Sequence, residues 1–251
     1  MSVLKLKSGK LEVKSKSKGR SELIIFGEII SAKWDDESQK SQTEPQDVKD
    51  LLDEIGDDDL DIFINSVGGN FFAGIAIYNM LKRHKGHKRV FVEGCAASIS
   101  SVIAMVGDEI IIPENAYLMI HKSWAFVVGN ADSLREKATQ FDRFDTTMAQ
   151  AYLDKTVEGV TEEEIMELMK AETWLQGVEA QKYFNVTLEQ ASDVAASLDG
   201  DLYKNYNLPK EFVINNFQPK ARQNKVVHQT SNNEIEDIKA KMRLELSLEE
   251  E

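Results

Sequence analysis

Strand-like and helix-like segments alternate along the first half of this 251-residue chain. A buried strand at "DLDIFINS" is followed by a helical pattern at "FFAGIAIYNMLKRH", a strand at "KRVFVEG" and an apolar helix at "SISSVIAMVG". Two short strands, "EIIIP" and "AYLMIH", come next. Such alternation is typical of βαβ units, in which helices connect parallel strands. The sequence therefore predicts an α/β fold around a parallel sheet.

Composition divides the chain into three expected parts. Residues 1–20 are rich in lysine and serine and predict a flexible N-terminal arm or an edge strand. Residues 21–218 form the main domain, which includes one long helix at about 131–156. Large apolar residues become rare after Pro219, so 219–251 predicts a polar linker and a short, amphipathic, acidic C-terminal tail.

Charge and cysteine content exclude several classes of protein. The net charge of −13 argues against nucleic acid or an anionic membrane as the main partner. The single cysteine, Cys95, excludes an internal disulfide framework. The basic start lacks an apolar signal core, and no apolar run approaches the roughly 18 residues of a membrane span. We therefore expect a cytoplasmic protein, and the histidine spacing predicts no metal site and no cofactor.

Small residues surround three serines in "VEGCAASISSVIAMVGDEI", where a strand gives way to a helix. Ser98 would lie at the carboxyl end of the strand, the edge where α/β proteins place active sites. It is a candidate nucleophile, with the Ile99 N–H beside it at the helix N-terminus. From the residues alone, a helix N-cap is an equally good interpretation of Ser98. Ser100 and Ser101 are expected to bond backbone carbonyls.

Two further elements end at the same expected edge. His121 closes the strand "AYLMIH" and is a candidate base, although a structural histidine is the commoner case. Gly68 and Gly69 follow the strand "DIFIN" and indicate either a tight turn or a close approach of a substrate carbonyl to the Gly69 N–H.

Together these motifs resemble the Clp protease proteolytic subunit (ClpP) family of serine peptidases, over roughly Ser21 to Val186. The resemblance rests on "FINSVGGNFFAGIAIYNML", "GCAASISS", "YLMIHKSW" and "ETWLQGVEAQKYF". It implies a ClpP/crotonase-like spiral of βαβ units with a protruding handle helix. It also implies Ser98 as nucleophile, His121 as general base, and the Gly69 and Ile99 amides as oxyanion hole.

The third catalytic residue departs from the family pattern. The family usually has Asp before an aromatic-Leu pair, where this chain has Glu172. A glutamate can still orient the histidine. Asp193 is a weaker alternative. A second departure is Val67, where the family usually has Pro.

Substrate and subunit contacts are also implied by the resemblance. Gly68, Ala125, Phe126 and Val127 would bind substrate, the last three in a strand at "SWAFVVGN" to which a peptide adds. The handle would join two rings through an apolar stripe of Phe141, Phe144, Met148 and Tyr152.

The family divides into a cellular branch, which works with an ATP-driven AAA+ unfoldase, and a phage or prophage branch, which resembles head-maturation (prohead) proteases. Glu172, the polar insertion before Glu54 and the acidic tail favour the second branch. Expected partners are polypeptides (capsid or scaffold proteins, or unfolded chains), other copies in a ring or stacked rings, and in the cellular case an AAA+ unfoldase. A crotonase-fold acyl-CoA enzyme and a non-catalytic assembly subunit stay open as alternatives.

Overall fold

The computed structural model describes residues 3–5, 12–14, 19–32 and 42–190. The chain divides into two units, Met1–Asn216 and Phe217–Glu251, and every described residue belongs to the first. The linker and tail predicted at 219–251 lie outside the described residues and stay a prediction.

The helices and strands follow the predicted alternation closely. In chain order they are β1 (Val3–Lys5), β2 (Glu12–Lys14), β3 (Arg20–Ile29), β4 (Gln42–Thr43), α1 (Pro45–Ile55), β5 (Asp59–Gly69), α2 (Phe71–Arg83), β6 (Lys88–Ala97), α3 (Ile99–Ala104), β7 (Glu109–Pro113), β8 (Tyr117–Ile120), α4 (Ala131–Leu153), α5 (Glu162–Lys170), β9 (Thr173–Gln176), α6 (Gly177–Ala180) and β10 (Thr187–Glu189).

A parallel sheet organises the domain. Its strands run in the order β10-β7-β6-β5-β3-β4, and each neighbouring pair is parallel. The second half of β6 leaves β7 and pairs instead with β8, which is also parallel, while β9 adds to β8 antiparallel. The predicted fold class, α/β with helices connecting parallel strands, is confirmed.

Apolar side chains of the central strands form the core. Ile62 and Ile64 of β5 and Val90 and Val92 of β6 are completely buried. Full burial of a side chain of this size contributes roughly 1.5–3 kcal/mol each before entropy is counted. Helix α2 covers this layer and approaches α3 closely, since a Cβ at Gly74 would meet the Ile99 side chain at 2.1 Å.

The pairing of strands β3, β5 and β6 becomes irregular near their carboxyl ends. The pairing of β3 with β5 shifts between Phe26 and Glu28, and that of β5 with β6 shifts after Ile64. Ser66 connects the two irregular sites, because its hydroxyl donates to the Gly27 carbonyl (2.6 Å) and accepts from the Gly68 N–H (3.1 Å). Such bulges are common next to active sites.

The expected handle helix is present as α4, but its apolar stripe has a different role from the one predicted. Residues 131–140 are almost all exposed, so the first half of α4 stands away from the described residues of this chain. Met148 and Tyr152 are instead buried in the core. Phe144 stacks on Phe71 with ring centroids 4.3 Å apart. The stripe packs on its own domain because the second half of α4 lies over α3 and the start of α2.

The N-terminal segment contains two short strands, β1 and β2, which pair antiparallel. The mobility predicted for residues 1–20 stays a prediction. Within the described part of the chain, no helix has the length and hydrophobicity needed to cross a membrane.

Candidate active site

Ser98 occupies a strained turn between β6 and α3. Its backbone has φ 57° and ψ −131°, a conformation that residues with a side chain rarely adopt. Its N–H donates to the Met119 carbonyl of β8 (2.9 Å), which ties the turn to the neighbouring strand. Although Ser98 stands at the N-cap position of α3, its side chain makes no capping hydrogen bond. The hydroxyl is therefore available for another partner.

That partner is His121, the residue after β8. Its Nε2 lies 2.7 Å from the Ser98 Oγ. His121 is only 6% exposed. Burial lowers the pKa of the imidazole, and the nearby carboxylates of Glu172 and Asp145 oppose that shift without cancelling it. A neutral imidazole at neutral pH can accept the serine proton at Nε2.

Glu172 lies in the turn between α5 and β9, in the second positive-φ conformation found among the described non-glycine residues (φ 50°). Its N–H donates to the Met169 carbonyl (3.2 Å). Of the two carboxylates that raise the pKa of His121, Glu172 has the larger influence. Glu172 therefore lies near enough to His121 to raise the pKa of its imidazole, while its role as the third catalytic residue stays a prediction. Asp193 lies outside the described residues.

Asp145 is a buried acid that sequence reasoning missed. Its carboxylate accepts from both the N–H and the hydroxyl of Ser123, each at 2.7 Å, and lies 3.5 Å from the Lys122 ammonium. It anchors the chain just after His121 to helix α4. Asp145 lies in α4 beside the apolar residues Phe144 and Met148, which is a weak indication in the sequence that its carboxylate is buried. No local motif identifies its partners.

The two predicted glycines have different surroundings. Gly68 (φ 87°) lies against the nucleophile turn, where an added Cβ would come within 2.7 Å of the Ala97 oxygen and the Ser98 Cβ. Gly69 (φ 149°) faces the Ile29 backbone on one side and lines a cavity on the other. Ile99 is the first residue of α3, and the first N–H groups of a helix have no intrahelical acceptor.

A cavity of about 790 Å³ opens over the Ser98–His121 pair. Ser98, Ile99, His121 and Gly69 all line it, and Glu172 does not. Part of its wall is aromatic, formed by Phe71, Phe72, Trp124, Phe141 and Phe144. The Ser98 hydroxyl, the His121 imidazole and the backbone of Gly69 and Ile99 therefore border one open space. This space is large enough for several side chains of a peptide.

The predicted substrate-binding residues are only partly found there. Ala125 lines the cavity, but Gly68, Phe126 and Val127 do not. The strand expected at "SWAFVVGN" is wrong, because residues 121–130 have no regular structure and no strand of the described chain pairs with them. Phe126 and Val128 are 90% and 82% exposed, so the segment for which the resemblance implies a strand is an uncovered surface segment.

The remaining predictions for this region fit the geometry. Ser100 and Ser101 donate to backbone carbonyls, as expected. Cys95 is completely buried, and burial raises the pKa of its thiol to about 12, so it is not a competing nucleophile.

Comparison with known proteins gives a consistent result. The family model for Clp protease matches residues 37–184. The chain is 29% identical over 128 residues to the ATP-dependent Clp protease proteolytic subunit of Deinococcus radiodurans, covering 50% of this chain and 61% of the relative. It is 31% identical over 128 residues to proteolytic subunit 2 of Corynebacterium glutamicum, covering 50% and 62%.

A third relative, proteolytic subunit 3 of Streptomyces avermitilis, is 29% identical over 136 residues, covering 53% of this chain and 61% of the relative. The matched region thus spans about three fifths of the length of these relatives. The family match extends over more than half of the chain and contains β5 to α6, with Ser98, His121 and Glu172 among its residues. The chain belongs to the Clp protease family.

Proposed function

We propose that this protein is a serine endopeptidase in which Ser98 attacks the carbonyl carbon of a peptide bond. The observation that supports this most strongly is the 2.7 Å contact between the Ser98 Oγ and the His121 Nε2 at a cavity. A serine that only capped α3 would direct its hydroxyl to the helix backbone, and this one does not.

The reaction proceeds in two halves. As the Ser98 Oγ bonds to the substrate carbon, its proton passes to the His121 Nε2, which then protonates the leaving amine. Water attacks the resulting ester with His121 again as base, and the acyl group leaves as a carboxylic acid. The Gly69 and Ile99 N–H groups stabilise the oxyanion in both halves. Removing one such donor typically costs about 10²–10³ in rate.

Glu172 would complete the catalytic triad. A carboxylate near the imidazole favours the protonated form that His121 acquires during catalysis and selects the tautomer with the proton on Nδ1. Asp145 adds to the same field, but its Oδ1 accepts from Ser123 and its Oδ2 lies 3.5 Å from the Lys122 ammonium. We therefore assign the orienting role to Glu172 and a supporting role to Asp145.

The substrates would be polypeptides in an extended conformation. The cavity has an aromatic wall, and the neighbouring segment at residues 124–128 has no strand partner among the described residues. A peptide that paired with this segment would place one side chain in the cavity and its carbonyl at Ser98. Assembly into rings through the exposed first half of α4 would restrict access to unfolded or threaded chains.

Two biological settings remain as proposals. A phage or prophage head-maturation protease is favoured by Glu172, the polar insertion before Glu54 and the acidic tail. A cellular Clp protease subunit is favoured by the names of the relatives, each an ATP-dependent Clp protease proteolytic subunit. Cleavage of a folded substrate only when an AAA+ unfoldase and ATP are supplied would favour the cellular role. Unaided cleavage of capsid or scaffold protein would favour the first.

The catalytic proposal is tested by mass spectrometry after treatment with a fluorophosphonate. We expect one adduct, on Ser98, which is absent from Ser98→Ala and strongly reduced in His121→Ala. Thr146→Ala, which removes an exposed hydroxyl on α4, is the control and should keep its adduct on Ser98. A folded protein that forms no adduct on Ser98 would refute the proposal and favour a crotonase-like enzyme or a non-catalytic subunit, in which the serine and histidine are idle.

A further inference from the structure

Tyr152 has a buried hydroxyl group that takes no part in the proposed catalytic steps. It lies in the second half of α4, is completely buried and packs against Phe184 with ring centroids 6.0 Å apart. Its Oη lies 2.7 Å from the Ser101 Oγ, which is also buried. Burial raises the pKa of the phenol well above its ordinary value, so Tyr152 carries its proton throughout the neutral range.

The direction of these hydrogen bonds follows from the number of protons. The Ser101 hydroxyl has one proton and donates it to the Ser98 carbonyl oxygen (2.6 Å). It must therefore accept in its contact with Tyr152, so the phenol is the donor there. The result is a directed chain from the Tyr152 O–H, through the Ser101 hydroxyl, to the Ser98 carbonyl.

That carbonyl belongs to the same peptide unit as the Ile99 N–H. The unit is planar, and its oxygen and N–H hydrogen point in opposite directions. The Ser101 N–H also donates to the Ser98 oxygen (2.9 Å), so two donors hold the oxygen on the helix side. A carbonyl held there turns the Ile99 N–H away from the helix, and both Ser98 and Ile99 line the cavity.

Ser98 gives a reason why such support is needed. Its positive φ costs on the order of 1–3 kcal/mol and persists only where the surroundings hold it. Rotation of the Ser98–Ile99 peptide would leave this φ unchanged but would shift ψ from −131° toward the left-handed helical region, the less costly of the positive-φ conformations, and would turn the N–H away from the cavity. Hydrogen bonds in series also polarise each other, which makes an N–H opposite a strongly bonded carbonyl a better donor.

We propose that Tyr152 is a positioning residue for the oxyanion hole, acting through Ser101 to hold the Ser98–Ile99 peptide with its N–H directed into the cavity. The proposal rests on the proposed serine peptidase function. It places the base of the protruding helix α4 in hydrogen-bonded contact with the catalytic turn.

The test uses a fluorogenic peptide and the full chain in parent, Tyr152→Phe, Ser101→Ala and double-variant forms. Tyr152→Phe removes only the hydroxyl, and we expect kcat to fall about fivefold with KM unchanged, as for one lost hydrogen bond. Ser101→Ala should cost more, because it removes a direct donor to the Ser98 oxygen. In the Ser101→Ala background, Tyr152→Phe should cost nothing further, since the phenol acts only through Ser101.

The inhibition constant of a peptide aldehyde distinguishes positioning of the oxyanion hole from a purely structural role of Tyr152. Its adduct with a serine places an oxygen in the oxyanion hole, so its inhibition constant should rise by the same factor as kcat falls. Tyr78→Phe is the matched control. It also removes the phenol hydroxyl of a buried tyrosine, one that accepts from Lys82 (3.0 Å), and should leave kcat and aldehyde affinity unchanged.

The outcomes separate the two proposals. A parent protein that neither cleaves the peptide nor reacts with a fluorophosphonate at Ser98 refutes the peptidase function and this inference with it. An active parent whose Tyr152→Phe variant keeps its kcat and its aldehyde affinity refutes the inference alone. A Tyr152→Phe variant that changes KM but not kcat would do the same.

Discussion

Two strand-to-helix turns lie side by side at the carboxyl edge of the sheet, and they use their polar side chains differently. At the β5–α2 turn, Asn70 has an ordinary φ of −65° and its side chain caps the helix by accepting from the Ala73 N–H (2.9 Å). At the β6–α3 turn, Ser98 occupies the same capping position with φ 57° and no capping bond. Its hydroxyl instead meets His121.

The difference shows where the protein gives up local stability for a reactive geometry. A side-chain cap is typically worth about 1 kcal/mol, and a strained non-glycine φ costs a similar amount or more. Both penalties fall on the Ser98 turn. Neighbouring groups hold the turn in this conformation. They are the Met119 carbonyl, the two donors of Ser101 and the Gly68 backbone. Asn70 needs no such support.

Catalysis at the Ser98 turn requires a correctly oriented His121 imidazole. Among the variants considered, Glu172→Gln should therefore reduce activity most. We expect kcat to fall by roughly 10³-fold, somewhat less than loss of the acid in other triads. The Glu172 carboxylate raises the pKa of His121, so its removal lowers that pKa further. The acidic limb of kcat/KM, which burial of His121 already places below the ordinary pKa of histidine, should therefore move to lower pH in the variant.

The matched control is Glu167→Gln, which neutralises an exposed acid paired with Lys170 on α5. It should leave both the rate and the pH profile unchanged. A Glu172→Gln protein with parental kcat would show that another group orients His121, and Asp145→Asn would then be the next variant to measure.

The second prediction concerns the contact between the two turns, where the Gly68 backbone packs against Ser98. Gly68→Ala places a Cβ 2.7 Å from the Ala97 oxygen and the Ser98 Cβ, at a φ of 87°. We expect kcat to fall about 100-fold, because a small displacement of a nucleophile has an effect of this size. Unfolding by urea should show a loss of about 2 kcal/mol.

Gly56→Ala isolates the steric part of that effect. Gly56 also has a positive φ (63°), but an added Cβ would meet nothing within 4 Å. Its substitution should cost about 1 kcal/mol of stability and no activity. Equal activity losses in the two variants would mean that Gly68 does not support the Ser98 turn.

The sequence predicted the positions of these turns well but not their support. Alternating periodicity and the small residues around Ser98 predict the alternating strands and helices and the position of the Ser98 turn, because those patterns are local. The roles of Ser66, Asp145 and Tyr152 depend on partners 39, 22 and 51 residues away in the chain. No local pattern reports such distances.

The same limit explains the two expectations that the structure contradicts, a strand after His121 and a subunit contact made by the second half of α4. The resemblance implies a strand at "SWAFVVGN", yet a strand exists only where a partner supplies hydrogen bonds, and the described chain supplies none there. The resemblance implies that the stripe on α4 joins two rings, but its Met148 and Tyr152 are buried within the domain. Periodicity shows that a face is apolar and does not show what covers it.

The smallest expected effect compares the two capping positions directly. Asn70→Ala removes a real cap and should lower the free energy of unfolding by about 1 kcal/mol. Ser98→Ala removes no cap, and the strained φ costs alanine about as much as serine, so the loss should stay below about 0.5 kcal/mol. Urea unfolding of both variants at pH 7 measures the difference. A larger loss for Ser98→Ala than for Asn70→Ala would mean that the serine hydroxyl stabilises the fold more than the cap does, and that its contact with His121 is part of the structure as well as of the chemistry.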